Sequence, residues 1–237
     1  ENNRFWGKGF KEWTNVLKTK QVHNKHIPIH PHQDIGYYDI LDIKTRKRWN
    51  SYAEDYGFYG YIYYHYWFSN GIVMNKPLDK LLEDGQPDKP WFLNWVNENW
   101  TKRWDGGNNE VLLDVNINKK SCEEHFNTLL VYFKHKNYYK IDNKPCLCIY
   151  RPKEVSKNYI DKFIELSIKN GFDGIVFFKT LNNNLENNFD INTDDYCEYE
   201  FEYPPNYSSS LKDTKMDTKD LNFFIDNTFS NNYDINK

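Results

Sequence analysis

Three carboxylates stand where side-chain chemistry is feasible. Glu98 lies in Trp95-Val96-Asn97-Glu98-Asn99-Trp100, with Arg103, Trp104 and Asp105 close behind. Apolar rings around a carboxyl favour its protonated, acid form. A competing reading pairs Glu98 with Arg103 to pin a loop. Asn97 then orients either a sugar hydroxyl or the Glu98 side chain. Glu12 follows Gly7-Lys8-Gly9-Phe10-Lys11, where two glycines permit a tight turn beside a ligand. It either serves a site or caps a helix. Glu202 ends the set Glu198, Glu200 and Glu202, which shares one face if extended. Such a face must be solvated or line a cleft, because unpaired carboxylates repel in a core.

Aromatic and imidazole groups cluster near these acids. Trp13 is either a stacking platform or core, and Asp105 is either a turn residue or a ligand contact. Trp100 and Trp104 flank the Glu98 block, and Tyr64 and His65 fall within Tyr63-Tyr64-His65-Tyr66-Trp67-Phe68. Rings stack on the apolar faces of pyranoses, and a carboxyl pair supplies acid and base; together they suit a sugar site. His65 is either a ligand contact or a satisfied buried imidazole. His23, His26, His30 and His32 crowd near Asp34, but Lys25, Pro28 and Pro31 suggest an extended polar segment. A metal centre needs three or four converging ligands, and no His-Glu-x-x-His occurs. His30 or His32 is expected to meet a substrate instead. Cys122, Cys146, Cys148 and Cys197 read as buried small residues rather than nucleophiles. No Gly-rich phosphate loop is present, so no cofactor is expected.

The elements that must position these groups alternate. Helices are expected over 39–56, 77–84, 121–137 and 155–169, and strands over 58–68, 91–96, 146–150, 172–178 and 196–203. Ser121 and Glu124 suggest a capping box. Ile160, Phe163, Ile164 and Ile168 are expected to point inward. Residues 1–38 form an irregular opening, and 181–195 an Asn-rich loop. This helix–strand beat argues for the α/β class, with parallel strands covered by helices and ligands at their C-terminal ends. About five strands fall short of the eight that close a barrel.

The chain has 237 residues, the length of one domain, and a formal charge of -3, which disfavours a nucleic-acid partner. Aromatics reach 18% against 39% apolar residues overall, so rings supply much of the core. No run approaches the ~20 apolar residues of a membrane span. Four cysteines in this length do not make a disulfide scaffold, which points to a reducing, cytoplasmic setting.

At these same residues the sequence resembles a known family. Phe5-Trp6-Gly7-Lys8-Gly9-Phe10-Lys11-Glu12-Trp13-Thr14-Asn15-Val16 is similar to the opening block of the WbsX-like, or glycoside-hydrolase-family-99-like, proteins. Asp34-Ile35-Gly36-Tyr37-Tyr38-Asp39, the Tyr63–Phe68 run, Asn97 to Gly106, and Glu202-Tyr203-Pro204-Pro205 continue it in order. The resemblance implies a TIM-like (β/α)8 barrel, incomplete at both ends in this chain. It implies metal-free carboxylate chemistry on a glycosidic bond in surface-glycan metabolism, by hydrolysis or transfer. It also implies a glycan substrate and a glycosyltransferase domain in the same or a neighbouring polypeptide. Two family blocks have no counterpart here: an early Pro-Gln-Phe/Tyr-His-like motif and a late Asn-Glu-Trp-x-Glu-Gly block. The alternative is therefore a non-catalytic glycan-binding or structural domain lacking the family's C-terminal carboxylate pair.

Overall fold

The structure, a computed structural model, describes residues 7–11, 13–18, 29–102, 109–115, 119–181 and 196–202, with backbone alone at 119–121, 181, 201 and 202. The chain divides into two compact units, Glu1–Tyr61 with Ile72–Pro90, and Ile62–Gly71 with Trp91–Lys237.

The first unit contains helices α1 (Trp13–Lys18), α2 (Ile43–Asp55) and α3 (Lys76–Asp84). Asp42 caps α2, its carboxylate accepting from the Lys44 and Thr45 amides at 3.3 and 3.1 Å. These donors lack intrahelical partners, so the cap fixes the start at Ile43 rather than at 39. Gly85, left-handed at φ 67°, ends α3. Arg46 is 2% exposed, and its guanidinium makes four hydrogen bonds. It donates to the carbonyls of Ile40, Leu41 and Gln86 at 2.9, 2.8 and 3.1 Å, and pairs with Asp84. A buried guanidinium is tolerable only with that degree of pairing. Gly60 is required by proximity, since a Cβ there would lie 2.3 Å from the Pro90 carbonyl oxygen.

The second unit is built on a sheet. Its strands are β1 (Tyr61–Phe68, the first residue belonging to the other unit), β3 (Trp91–Trp95), β7 (Lys144–Ile149), β8 (Val176–Leu181) and β9 (Cys197–Glu202), in the order β1-β3-β7-β8-β9. The short strands are β2 (Gly71–Val73, of which Ile72 and Val73 belong to the first unit), β4 (Trp100–Thr101), β5 (Val111–Leu113) and β6 (Lys140–Ile141). Pairings β3–β7, β7–β8 and β8–β9 are parallel. β6 returns to β7 through Asp142-Asn143, both at positive φ, 48° and 60°. That is a two-residue hairpin turn whose twist matches the strands. Helices α4 (Lys119–Phe133) and α5 (Lys157–Lys169) follow β3 and β7 in the chain. The fold is mixed α/β, and its alternation is consistent with a partial TIM-barrel-like topology.

One sheet face is sealed by the helices. Trp91, Leu93, Trp95, Leu147, Ile149 and Phe177 alternate onto it and are buried. Phe126, Leu129 and Phe133 of α4, with Ile160 and Phe163 of α5, meet them, all 0–1% exposed. Each such side chain contributes about 1.5–3 kcal/mol by leaving water. On the opposite face, Phe92 and Phe178 approach to 5.0 Å across β7, whose residues there are the small Cys146 and Cys148. Tyr199 then stacks on Phe178 at 4.9 Å.

Differences from the expected elements have local causes. Helix α4 begins at Lys119, so Ser121 lies inside it rather than at its cap. In α5 the inward residue of the last turn is Ser167, whose hydroxyl donates to the Gly174 carbonyl at 2.7 Å, and Ile168 is 57% exposed. β8 starts at Val176 rather than 172, because Gly174 at φ 124° still belongs to the turn. Most of the expected loop 181–195 lies outside the described residues.

Candidate active site

Register places the site's central contacts. Trp95 pairs with Ile149 as the last matched residues of β3 and β7, and the Tyr150 amide still donates to Trp95 at 3.0 Å. Two residues beyond each strand end stand Asn97 and Arg151. The Asn97 amide donates to the Arg151 carbonyl at 2.8 Å and accepts from the Arg151 N–H at 2.8 Å. Asn97 is 1% exposed, so both halves of its amide are committed to the backbone. The same segment is held twice more: Thr180 donates to the Tyr150 carbonyl and Tyr196 to the Pro152 carbonyl, each at 2.8 Å.

Arg151 turns its guanidinium back to Glu98. Nη2 pairs with Glu98 Oε1, while Nη1 reaches Glu154 at 3.0 Å. Burial opposes the charge on Arg151, but the hydrogen bond to Glu154 and the charge and hydrogen bond of Glu98 outweigh it and raise its pKa. The Glu98 side chain remains 35% exposed, so it is open to a ligand. The expected loop-pinning partner, Arg103, lies outside the described residues, as do Glu12, Trp104 and Asp105.

Beside this cluster the aromatic residues divide by strand alternation. Tyr64 is 51% exposed, Tyr66 lies 6.0 Å from it, and Trp100 packs edge-on against Tyr66 at 5.3 Å. His65 alternates to the helix side, where it is 1% exposed. Its Nε2 meets His125 Nε2 at 2.8 Å, and His125 Nδ1 meets the Tyr159 hydroxyl at 3.0 Å. Trp67 stacks on the His125 ring at 5.0 Å. Burial lowers the His65 pKa to about 3 and that of His125 well below its usual value, with His65 adding to the latter, so both rings are neutral.

The remaining expected residues are placed as follows. In the first unit, Trp13 donates its indole N–H to the Tyr38 carbonyl at 3.0 Å and packs against Tyr37, and His30 bonds the Tyr37 hydroxyl. Glu202 aligns with Leu181 at the end of β9, with its backbone alone described. Glu200 pairs with Lys179 at 3.2 Å. All four cysteines are free, and burial pushes the thiols of Cys122 and Cys146 up to about 12, poor settings for a nucleophile. Among the described residues, no group of three His, Cys, Asp or Glu side chains is placed to hold a metal ion.

Sequence reasoning missed Arg151 and His125. Arg151 was findable because it stands two residues past its strand, as Asn97 does. His125 was findable because it sits at i+3 from Cys122 and i−4 from Leu129, on the buried stripe of α4.

The model of a family described as "Glycosyltransferase WbsX" matches residues 1–235. The chain belongs to this family. Among curated proteins, "Uncharacterized protein WxcX" from two Xanthomonas campestris pv. campestris strains, B100 and ATCC 33913, is 30% identical over 152 residues. Each match covers 64% of this chain and 22% of the relative, so the WbsX-family chain spans a small part of those proteins. A solved structure described as "Glycoside hydrolase-like protein" aligns at 14% identity and TM-score 0.45, over 66% of this chain and 48% of that one. No helix among the described residues is long and apolar enough to cross a membrane.

Proposed function

We propose that this chain is a carbohydrate-active domain that acts on a glycosidic bond of a surface glycan, by hydrolysis or transfer. The observation that carries the reading is Glu98: a part-exposed carboxylate at the C-terminal exit of a parallel strand, oriented by Arg151, in a member of a family described as glycosyltransferase. Tyr64, Tyr66 and Trp100 supply ring faces for a pyranose. Glu202 and Glu12 are proposed as further carboxylates, each within its own unit, and Arg103, Trp104 and Asp105 as substrate contacts. Asn97 and His65 act behind the rings, fixing strand ends and the sheet's helix side. Trp13 and His30 are proposed as glycan contacts of the first unit.

The chemistry needs two carboxyl groups. A protonated carboxyl gives its proton to the glycosidic oxygen as the old C–O bond breaks. A carboxylate takes a proton from the incoming water or acceptor hydroxyl as the new C–O bond forms. With its guanidinium partner, Glu98 suits the carboxylate role better than the acid role expected from its indole neighbours. A glycosyltransferase domain in the same or a neighbouring polypeptide, and a cytoplasmic location, belong to the same proposal.

A second reading, glycan binding without turnover, is favoured by one observation. Oε1 of Glu98 is already occupied by Arg151, as in a purely structural ion pair. Calorimetry and product analysis with fluorescent mannose-, glucose- and galactose-containing oligosaccharides separate the two. Binding with product formation is the expected result. Binding without product supports the second reading, and neither binding nor product overturns both.

A further inference from the structure

We infer that Arg151 is the positioning residue of the Glu98 carboxylate, the group through which strands β3 and β7 jointly set the site. This rests on the proposed carbohydrate reading and deepens it, by tracing what holds Arg151 itself in place.

The geometry is closed and reciprocal. Asn97, the residue before Glu98, holds both main-chain groups of Arg151, and Arg151 returns its side chain to Glu98. Three successive carbonyls, of Tyr150, Arg151 and Pro152, each accept from a side chain of a different segment: Thr180, Asn97 and Tyr196. So the segment 150–152 is fixed from Asn97 two residues past β3, from β8 and from the residue preceding β9. A surface ion pair needs no such anchoring, because its partners adjust to one another. Anchoring is what a site needs when a carboxylate must stand at one place before the ligand arrives.

The guanidinium is suited to this by shape. Its planar fork places separate N–H groups on Glu98 and Glu154 at once, with Nη1 held by Glu154 at 3.0 Å. A lysine ammonium is a point donor on a flexible stem and cannot hold both carboxylates in one geometry.

The test compares wild type, Arg151→Met and Arg151→Lys by three readouts. The first needs no substrate: the rate at which a water-soluble carbodiimide and an amine label Glu98, read by mass spectrometry. Labelling of Glu98 is expected to rise about tenfold in Arg151→Met, while the melting temperature stays within about 2–4 °C. The second is kcat and KM on whichever labelled oligosaccharide the wild type processes, or Kd where it only binds. A loss of about 100-fold in kcat, or in affinity where only binding occurs, is expected for Arg151→Met, with Arg151→Lys intermediate. The third is recovery of Arg151→Met by free guanidinium at millimolar concentration but not by sodium at equal ionic strength. Unchanged Glu98 labelling overturns the inference whatever the glycan result. Changed labelling with wild-type turnover or affinity overturns the positioning role. If wild type neither binds nor processes any oligosaccharide, the carbohydrate reading fails, and labelling alone decides whether Arg151 orders Glu98.

Discussion

Asn97 grips Arg151 by both main-chain groups, accepting from its N–H and donating to its carbonyl, each at 2.8 Å. The grip is set by register, since both residues stand two past the last matched pair of parallel strands. The Asn97 amide is wholly committed, and a change there reads out as stability and site order together. Asn97→Asp keeps the acceptor but replaces the donor with a charge facing a carbonyl. The expected cost is about 2–4 kcal/mol, from a buried unsatisfied carbonyl and a buried charge. Urea denaturation measures it, and a loss under about 0.5 kcal/mol would show that the clamp is dispensable.

The buried His65–His125 pair predicts acid sensitivity. Both folded-state pKa values are lowered by burial, that of His65 to about 3. Below the unfolded value near ~6.5 the unfolded chain gains protons that the folded chain refuses, so stability falls as pH falls. Each ring contributes a slope of up to about 1.4 kcal/mol per pH unit between ~6.5 and its folded pKa. The groups packed on the pair, Trp67, Trp95, Tyr132, Tyr159 and Phe163, carry no charge that would compensate. Urea midpoints between pH 7.5 and 4.5 are expected to fall, with a shallower slope in His125→Phe. A flat profile in wild type would contradict the neutral, buried assignment.

Arg46 gives a test confined to the first unit. Arg46→Leu strands three carbonyls and Asp84, which is itself part-exposed. About 3 kcal/mol is the expected loss, and it should appear first as faster proteolysis within 29–60. Equal proteolysis of variant and wild type would refute this.

Gly60→Ala places a methyl 2.3 Å from the Pro90 carbonyl oxygen, so backbone must shift. Overpacking of this kind costs about 1–3 kcal/mol. A melting temperature equal to wild type would show that the neighbouring chain yields freely.

Much of this fold was legible in the sequence because aromatic and aliphatic stripes kept their periods. Phe126, Leu129 and Phe133 marked α4, and Cys146 to Ile149 marked β7. The short pieces β2, β4, β5 and β6 were not legible, since two or three residues carry no period. Glu98 could be singled out because indoles and a strand end surround it. Its partner could not be found in the same way, because Arg151 lies 53 residues on and the contact exists only once β3 and β7 pair in register. His65 shows the complementary limit: a histidine on a Tyr-rich strand suits either face, and alternation from Tyr64 decides it only after the helices are placed.

The most direct test of the account is Glu98→Gln in the intact polypeptide, with oligosaccharide binding and product formation measured on the same preparation. Glutamine keeps the shape and can still bond Arg151, but cannot act as a carboxylate. The account predicts retained glycan affinity, with turnover lowered by about 100-fold or more. Turnover equal to wild type would remove Glu98 from the chemistry and contradict the central claim.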